Sequence, residues 1–185
     1  MGDRLRSDHN YRLYSALVER MPQLKEQDWA LKTINGIPDH QGWVKLGRES
    51  WLGIRCDLSL LDQFGTLDGQ VLRVGQNLIQ LGTLTGQSLQ PSLDLQCRMV
   101  TIKSKFSCRV EPFEFGVVLG RQLNALGIQT MPILKERKIL EIHTTKVVGF
   151  RVAFAGLKPQ ESLALQRYGV GGRRRMGCGY FVSYG

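Results

Sequence analysis

No apolar run in the 185-residue chain approaches the length of a membrane span, and the polar opening Met1-Gly-Asp-Arg-Leu-Arg-Ser7 lacks the apolar centre of a signal peptide. Four cysteines, Cys56, Cys97, Cys108 and Cys178, are dispersed without a C-x-x-C pair, which argues against a structural zinc site and a disulfide framework. Histidine is scarcer still: there are three, none at metal-ligand spacing from a cysteine or carboxylate. The expectations are reduced thiols, no metal, no cofactor, no membrane partner and a soluble, cytoplasmic protein. Acidic residues are scarce in one half only. Up to Cys97 the chain carries 10 basic and 11 acidic side chains, and from Arg98 onward 15 and 5, so the net charge of +9 belongs to the second half. Such a cationic half attracts phosphate and makes binding salt-dependent; a basic enzyme with no polyanionic partner is the competing reading.

What the chain does have is a glycine- and arginine-rich segment near its end. Gly169, Gly171, Gly172, Gly177 and Gly179 surround Arg173, Arg174 and Arg175, and the strand-like stretch Cys178-Gly-Tyr-Phe-Val-Ser-Tyr184 follows. Glycine lets backbone amides approach phosphate oxygens, and successive amides of mixed-sign conformation form an anion nest, so the loop is expected to bind polyanion. It is not a Walker A loop, because Gly177 is followed by Cys178 and Gly179 rather than Lys and Ser or Thr. Nor is it a dinucleotide fingerprint: Arg174 stands where the third glycine belongs, and the order is helix, loop, strand. A nucleic-acid backbone is the better candidate ligand.

The second half reads as strand (Ser92 to Lys103), helix (Glu111 to Leu126), strand (Lys138 to His143), strand (Val147 to Ala155), helix (Pro159 to Tyr168) and strand (Cys178 to Tyr184). That β-α-β-β-α-β order is ferredoxin-like, with Pro159 suited to a first helical turn and Gly169 to a helix end. The first half reads as helix (Asn10 to Met21, with Leu13, Leu17, Val18, Met21 and Leu24 on one face), strand (Trp29 to Ile34), and a turn at Ile37 to Gly42. Extended segments (Trp43 to Leu46, Trp51 to Asp57), a short helix (Ser59 to Phe64) and a final strand or hairpin (Gln70 to Leu84) follow. It lacks the opening strand, because only eight polar residues precede His9. The predicted fold is α+β, with two tandem ferredoxin-like modules over 1–88 and 89–185. Thr85-Gly-Gln-Ser-Leu-Gln-Pro91 links them, and the first module is without its first strand.

Three segments resemble a known family: Asp8-His-Asn-Tyr-Arg-Leu-Tyr-Ser-Ala-Leu17, Gly149-Phe-Arg-Val-Ala-Phe-Ala-Gly-Leu157, and Leu165-Gln-Arg-Tyr-Gly-Val-Gly-Gly-Arg-Arg-Arg-Met-Gly-Cys-Gly-Tyr-Phe181. With the element order, they are similar to the RAMP superfamily of CRISPR-associated proteins, and within it to the repeat-processing endoribonucleases, the "Cas six" family, in its myxan-type branch. The resemblance implies a metal-independent nuclease that cuts the repeats of a CRISPR precursor transcript. It also implies guide RNA and other subunits of a CRISPR effector complex as partners. It further implies a strand ahead of the first helix, so the expectation is a truncated or late-started sequence whose neighbouring strand edge is exposed.

Cutting RNA without a metal uses the 2′-hydroxyl as nucleophile and leaves a 2′,3′-cyclic phosphate and a 5′-hydroxyl. The protein must move protons, a task for histidine, and stabilise charge on the phosphorane, a task for lysine or arginine. His9 begins the first helix, where the positive end of the dipole favours the neutral imidazole a base needs; the alternative is a packed helix-entry residue. His40, in the Asp39-His-Gln-Gly42 turn, is a second candidate acid or base, or an exposed hairpin tip. Tyr14, five residues after His9, hydrogen-bonds the reacting region or packs. Lys32 is a candidate charge stabiliser or a solvated strand lysine.

For RNA binding the candidates are Arg98, Lys103, Lys105 and Arg109 along one strand and its connection, His143 and Lys146 in a turn, and the loop Gly169, Gly171, Gly172, Arg173, Arg174, Arg175, Gly177 and Gly179. They would meet phosphates rather than bases. Tyr180, Phe181 and Tyr184 are possible base stackers, some of which must be core. Two other readings compete with the nuclease: a catalytically silent subunit that grips repeat RNA, and a ribosomal-protein-like module with no CRISPR role.

Overall fold

A computed structural model describes residues 3–102, 110–142 and 145–184. Lys103, Lys105, Arg109 and His143, all candidates above, lie outside the described residues. The chain divides into two compact units, Met1–Gln87 and Ser88–Gly185. No helix among the described residues is long and apolar enough to cross a membrane.

The first unit opens with β1 (Arg4–Arg6) and α1 (Asn10–Arg20), then β2 (Trp29–Lys32), β3 (Ile37–Pro38), β4 (Trp43–Lys45) and β5 (Gly53–Cys56). α2 (Leu61–Gly65) and the hairpin β6 (Val71–Val74) and β7 (Asn77–Gln80) close it. The opening strand expected to be missing is therefore present. Three residues suffice for it because Arg4-Leu5-Arg6 alternates: Leu5 is buried while both arginines stay exposed. A stretch with one apolar side chain reads as polar by composition, yet its period of two is that of a half-buried strand.

β1 pairs antiparallel with β4, and β4 with β3; β2 pairs with β5. The five residues expected on one face of the first helical segment, Leu13, Leu17, Val18, Met21 and Leu24, are all buried. They meet Trp29, Phe64, Leu72 and Val74 in one core. Trp29 satisfies its indole N–H on the Leu24 carbonyl at 2.9 Å and meets Phe64 edge-on, which fixes its ring.

The second unit runs β8 (Leu95–Val100), α3 (Pro112–Ala125), β9 (Ile133–Ile142), β10 (Thr145–Phe154), α4 (Pro159–Tyr168) and β11 (Phe181–Ser183), and its four strands form one antiparallel sheet with strand order β11-β8-β10-β9. That is the fourth, first, third and second strand of the unit, the ferredoxin-like order. α3 buries Phe115, Leu119 and Leu123, spaced by four, and the Phe115 ring lies 4.8 Å from that of Phe150 on β10. α4 starts at Pro159 and ends at Tyr168, capped by Gly169, whose φ of 60° is one that glycine adopts most readily. Buried Glu161 ties its first turn to the loop before β9. It accepts the amides of Lys158 (3.0 Å), Gln129 (2.7 Å) and Thr130 (3.2 Å) and the Thr130 hydroxyl (2.8 Å).

Candidate functional site

In the first unit the β3–β4 hairpin is tied off by Asp39. Its carboxylate accepts the amides of Gln41 at 2.8 Å and Trp43 at 3.0 Å, and its own amide donates to the Trp43 carbonyl at 3.1 Å. Desolvation pushes the Asp39 carboxyl up, but these amides and the Arg4 charge outweigh it and hold the group below its usual range. The two residues that follow a left-handed path are His40 (φ 61°) and Gly42 (φ 85°). His40 is thus an exposed imidazole at a fixed corner, in a conformation uncommon outside glycine.

The register of β1 against β4 sets the surroundings of that corner. Arg4 stands opposite Lys45 and Arg6 opposite Trp43, so three cations and an indole share one face while Leu5 and Val44 take the other. Arg6 lies over the Trp43 ring, its guanidinium carbon 4.2 Å from the ring centre, and Arg4 sits at 5.1 Å. The Ser7 amide donates to the Gly42 carbonyl at 2.9 Å, and a side-chain carbon built on Gly42 would meet the Arg6 guanidinium at 4.0 Å. Both arginines therefore reach the turn that carries His40.

His9 is only 2% exposed, and both its ring nitrogens are engaged: Nδ1–H donates to the Arg6 carbonyl at 2.7 Å, and Nε2 accepts the Ile34 amide at 3.1 Å. Those partners fix the neutral, Nδ1-protonated tautomer. The imidazole joins the end of β1, the start of α1 and the segment after β2, and it presents no free nitrogen to a substrate. Tyr14 is half-buried, stacked on Trp29 at 6.1 Å. Lys32 is half-buried on β2 with its ammonium 3.5 Å from the centre of the Trp51 ring, and desolvation lowers its pKa. His40 lies in the turn that leads into β4, next to the strands that bear Arg4, Arg6 and Lys45, whereas Tyr14 and Lys32 belong to other contacts.

The glycine-rich loop of the second unit is built differently from the nest expected of it. Gly171 donates its amide to the Gln122 side chain, Gly172 to the Thr101 carbonyl, and Gly179 to the Met99 carbonyl, at 2.7, 2.8 and 2.9 Å. Gly169 and Gly177 donate to Leu165 and Arg174. All five glycine amides are thus committed within the protein. The glycines serve close approach instead: a side chain at Gly169 would strike the Gly179 carbonyl, one at Gly171 the Thr101 carbonyl, and one at Gly179 the Val170 carbonyl.

What the loop offers is its charge. Arg173, itself left-handed at φ 60°, and exposed Arg98 on β8 both act on the Cys178 thiol; burial nevertheless pushes that thiol up to about 12. Arg174 donates to the Arg167 carbonyl at 3.0 Å, Arg175 is half-buried beside it, and Lys146 is exposed on β10. Phe181 is core, packed on Phe154, while Lys135 lies over the Tyr184 ring.

The sequence matches the Cas6 Crispr family over residues 1–185. This chain belongs to the Cas6 family. A relative in Myxococcus xanthus (strain DK1622), the CRISPR-associated endonuclease Cas6, is 33% identical over 179 residues, covering 96% of this chain and 76% of the relative. Among solved structures, one described as CRISPR associated protein Cas6 superposes with a TM-score of 0.71 at 13% identity, over 98% of this chain and 93% of the other. Another, an RAMP protein binding different RNA substrates, gives a TM-score of 0.64 at 13% identity, over 96% and 92%. These two likenesses establish the shared fold of paired ferredoxin-like modules.

The site of this Cas6-family chain holds residues that sequence reasoning passed over. Arg4 and Arg6 lie in an opening stretch that reads as polar, and Trp43 and Lys45, although within the extended segment Trp43 to Leu46, carry no local sign of the strand they pair with. The signal was the alternation in Arg4-Leu5-Arg6 facing that in Trp43-Val-Lys45, which puts like residues on one face once the two are paired.

Proposed function

We propose that this Cas6-family chain is a metal-independent, cytoplasmic endoribonuclease that cleaves repeats in CRISPR precursor transcripts to make guide RNA. The observation that carries the reading is His40. Its exposed imidazole is held by the Asp39 turn at the edge of a face bearing Arg4, Arg6 and Lys45. His40 removes the proton of the substrate 2′-hydroxyl. The 2′-oxygen attacks the neighbouring phosphorus, the bond to the 5′-oxygen breaks, and that oxygen leaves as a hydroxyl after protonation, giving a 2′,3′-cyclic phosphate. The cations of the face offset the charge that builds on the phosphorane.

His9 acts as a positioning residue, holding the β1 backbone at Arg6. Lys32, its charge made less stable by desolvation, and Tyr14 stay in the proposal as groups that touch RNA beside the reaction. In the second unit Arg98, Lys146 and Arg173 to Arg175 grip phosphates, and the glycines Gly169, Gly171, Gly172, Gly177 and Gly179 hold the arginines in place. Lys103, Lys105, Arg109 and His143 join them on the strength of the sequence. CRISPR RNA, and the other subunits of an effector complex, are the partners.

One observation favours a second reading. With His9 sequestered by two backbone bonds, a chain lacking catalysis would bind repeat RNA as a silent subunit. The test is single-turnover cleavage of labelled repeat RNA by wild type and His40→Ala. Loss of cleavage with binding retained supports the nuclease; binding without cleavage by the wild type supports the silent subunit.

A further inference from the structure

The β1–β4 face carries a like-charge pair. Arg4 and Lys45 are directly opposed across the two strands, an arrangement that disfavours pairing unless an anion lies between them. Among the described residues no ion pair involves Arg4, Arg6 or Lys45. The Arg4 charge acts on Asp39, whose Oδ1 accepts the Gln41 and Trp43 amides, without an ion pair between the two side chains. The charge of this face is therefore left for a partner from outside.

Beside the pair stands a surface of different chemistry. Arg6 lies over Trp43, its guanidinium carbon 4.2 Å from the ring centre, so an indole supports the guanidinium from one side. Its backbone is held too, through the carbonyl that accepts from buried His9. Arg6 is an exposed residue, and the neighbouring turn passes it as Gly42 with no side chain to cover it. A preordered guanidinium plane is a stacking platform for a nucleobase, and bases stack equally on such planes and on aromatic rings.

We infer that Arg6 and Trp43 form a base-stacking subsite for one unpaired nucleotide next to the cleaved bond, whose phosphate lies between Arg4 and Lys45. The subsite takes single-stranded RNA, since a paired base is stacked on its neighbours and leaves no face for the platform. It rests on the nuclease reading for its place beside His40. It adds that the chain fixes the scissile position by holding a base in the first unit, apart from any grip on phosphates in the second.

The experiment is binding of a full repeat RNA made uncleavable by 2′-deoxy substitution, with abasic nucleotides placed one at a time along it. Wild type, Arg6→Ala, Arg6→Lys and Trp43→Phe are compared, each checked by circular dichroism. In the wild type one abasic position next to the scissile bond weakens binding about tenfold. In Arg6→Ala that penalty disappears, because the removed base and the removed plane are the same interaction. Arg6→Lys keeps the salt dependence but also loses the penalty, and Trp43→Phe, which preserves a ring beneath Arg6, retains most of it. Abasic penalties that are the same in Arg6→Ala as in wild type overturn the subsite, even if cleavage occurs. A penalty that vanishes in Arg6→Ala supports it even if the chain never cuts, in which case the nuclease reading falls and the subsite stands.

Discussion

The Nδ1–H of His9 donates to the carbonyl of Arg6 at 2.7 Å, so a buried imidazole sets the position of a residue whose side chain lies on the cationic face of β1. His9→Ala leaves that carbonyl and the Ile34 amide unsatisfied and destabilises the chain by about 2–4 kcal/mol in urea unfolding. His9→Asn, which can restore the bond to Arg6 alone, falls between. Cleavage falls in the same order as stability. A His9→Asn protein as stable as the wild type but unable to cut would return His9 to the role of base.

His40 behaves in the opposite way. It is exposed and makes its corner through backbone conformation, so His40→Gly, which adopts a φ of 61° without strain, leaves the unfolding midpoint nearly unchanged. Single-turnover cleavage drops by about 10²- to 10⁴-fold while RNA affinity holds.

At Gly171 an added methyl would strike the Thr101 carbonyl, and φ there is 84°. Gly171→Ala is expected to cost about 2 kcal/mol or more, read by thermal unfolding. Replacing Arg173 with Ala should instead leave stability alone and lower both RNA affinity and the slope of log affinity against log salt. A nest would give the reverse pattern, with the glycine variant folded and unable to bind.

The Glu161 carboxylate accepts the amides of Gln129 and Lys158 and the Thr130 hydroxyl, which lowers its pKa from 4.5 to about 2. Because the folded value lies below the unfolded one, its stabilisation is complete above pH 4.5 and is lost as pH falls toward 2. Acid titration of stability followed by circular dichroism should show a steeper decline over that window in wild type than in Glu161→Gln.

Much of the fold was legible in the sequence because the second half carries strong local signals. Pro159 and Gly169 bracket α4 residue for residue, and the period of Phe115, Leu119 and Leu123 marks α3. β1 was not legible, since one leucine between two arginines is too short a pattern to outweigh its composition. The glycine loop is ambiguous for a physical reason. Glycine is needed equally where backbone meets phosphate and where backbone meets backbone, and only the partners of the five amides tell these apart. His9 is ambiguous in the same way: a helix entry suits a neutral imidazole whether it serves chemistry or two main-chain bonds. The pairing that gathers Arg4, Arg6, Trp43 and Lys45 joins segments far apart in the chain, so no local window could contain it.

The most direct measurement is cleavage of a 5′-labelled CRISPR repeat RNA in EDTA by wild type and His40→Ala, with a 2′-deoxy substrate as control. The account predicts cutting that survives EDTA, yields a 2′,3′-cyclic phosphate, and is abolished by either the His40 substitution or the 2′-deoxy sugar. Cleavage that requires a divalent metal, or that His40→Ala performs at the wild-type rate, would contradict it.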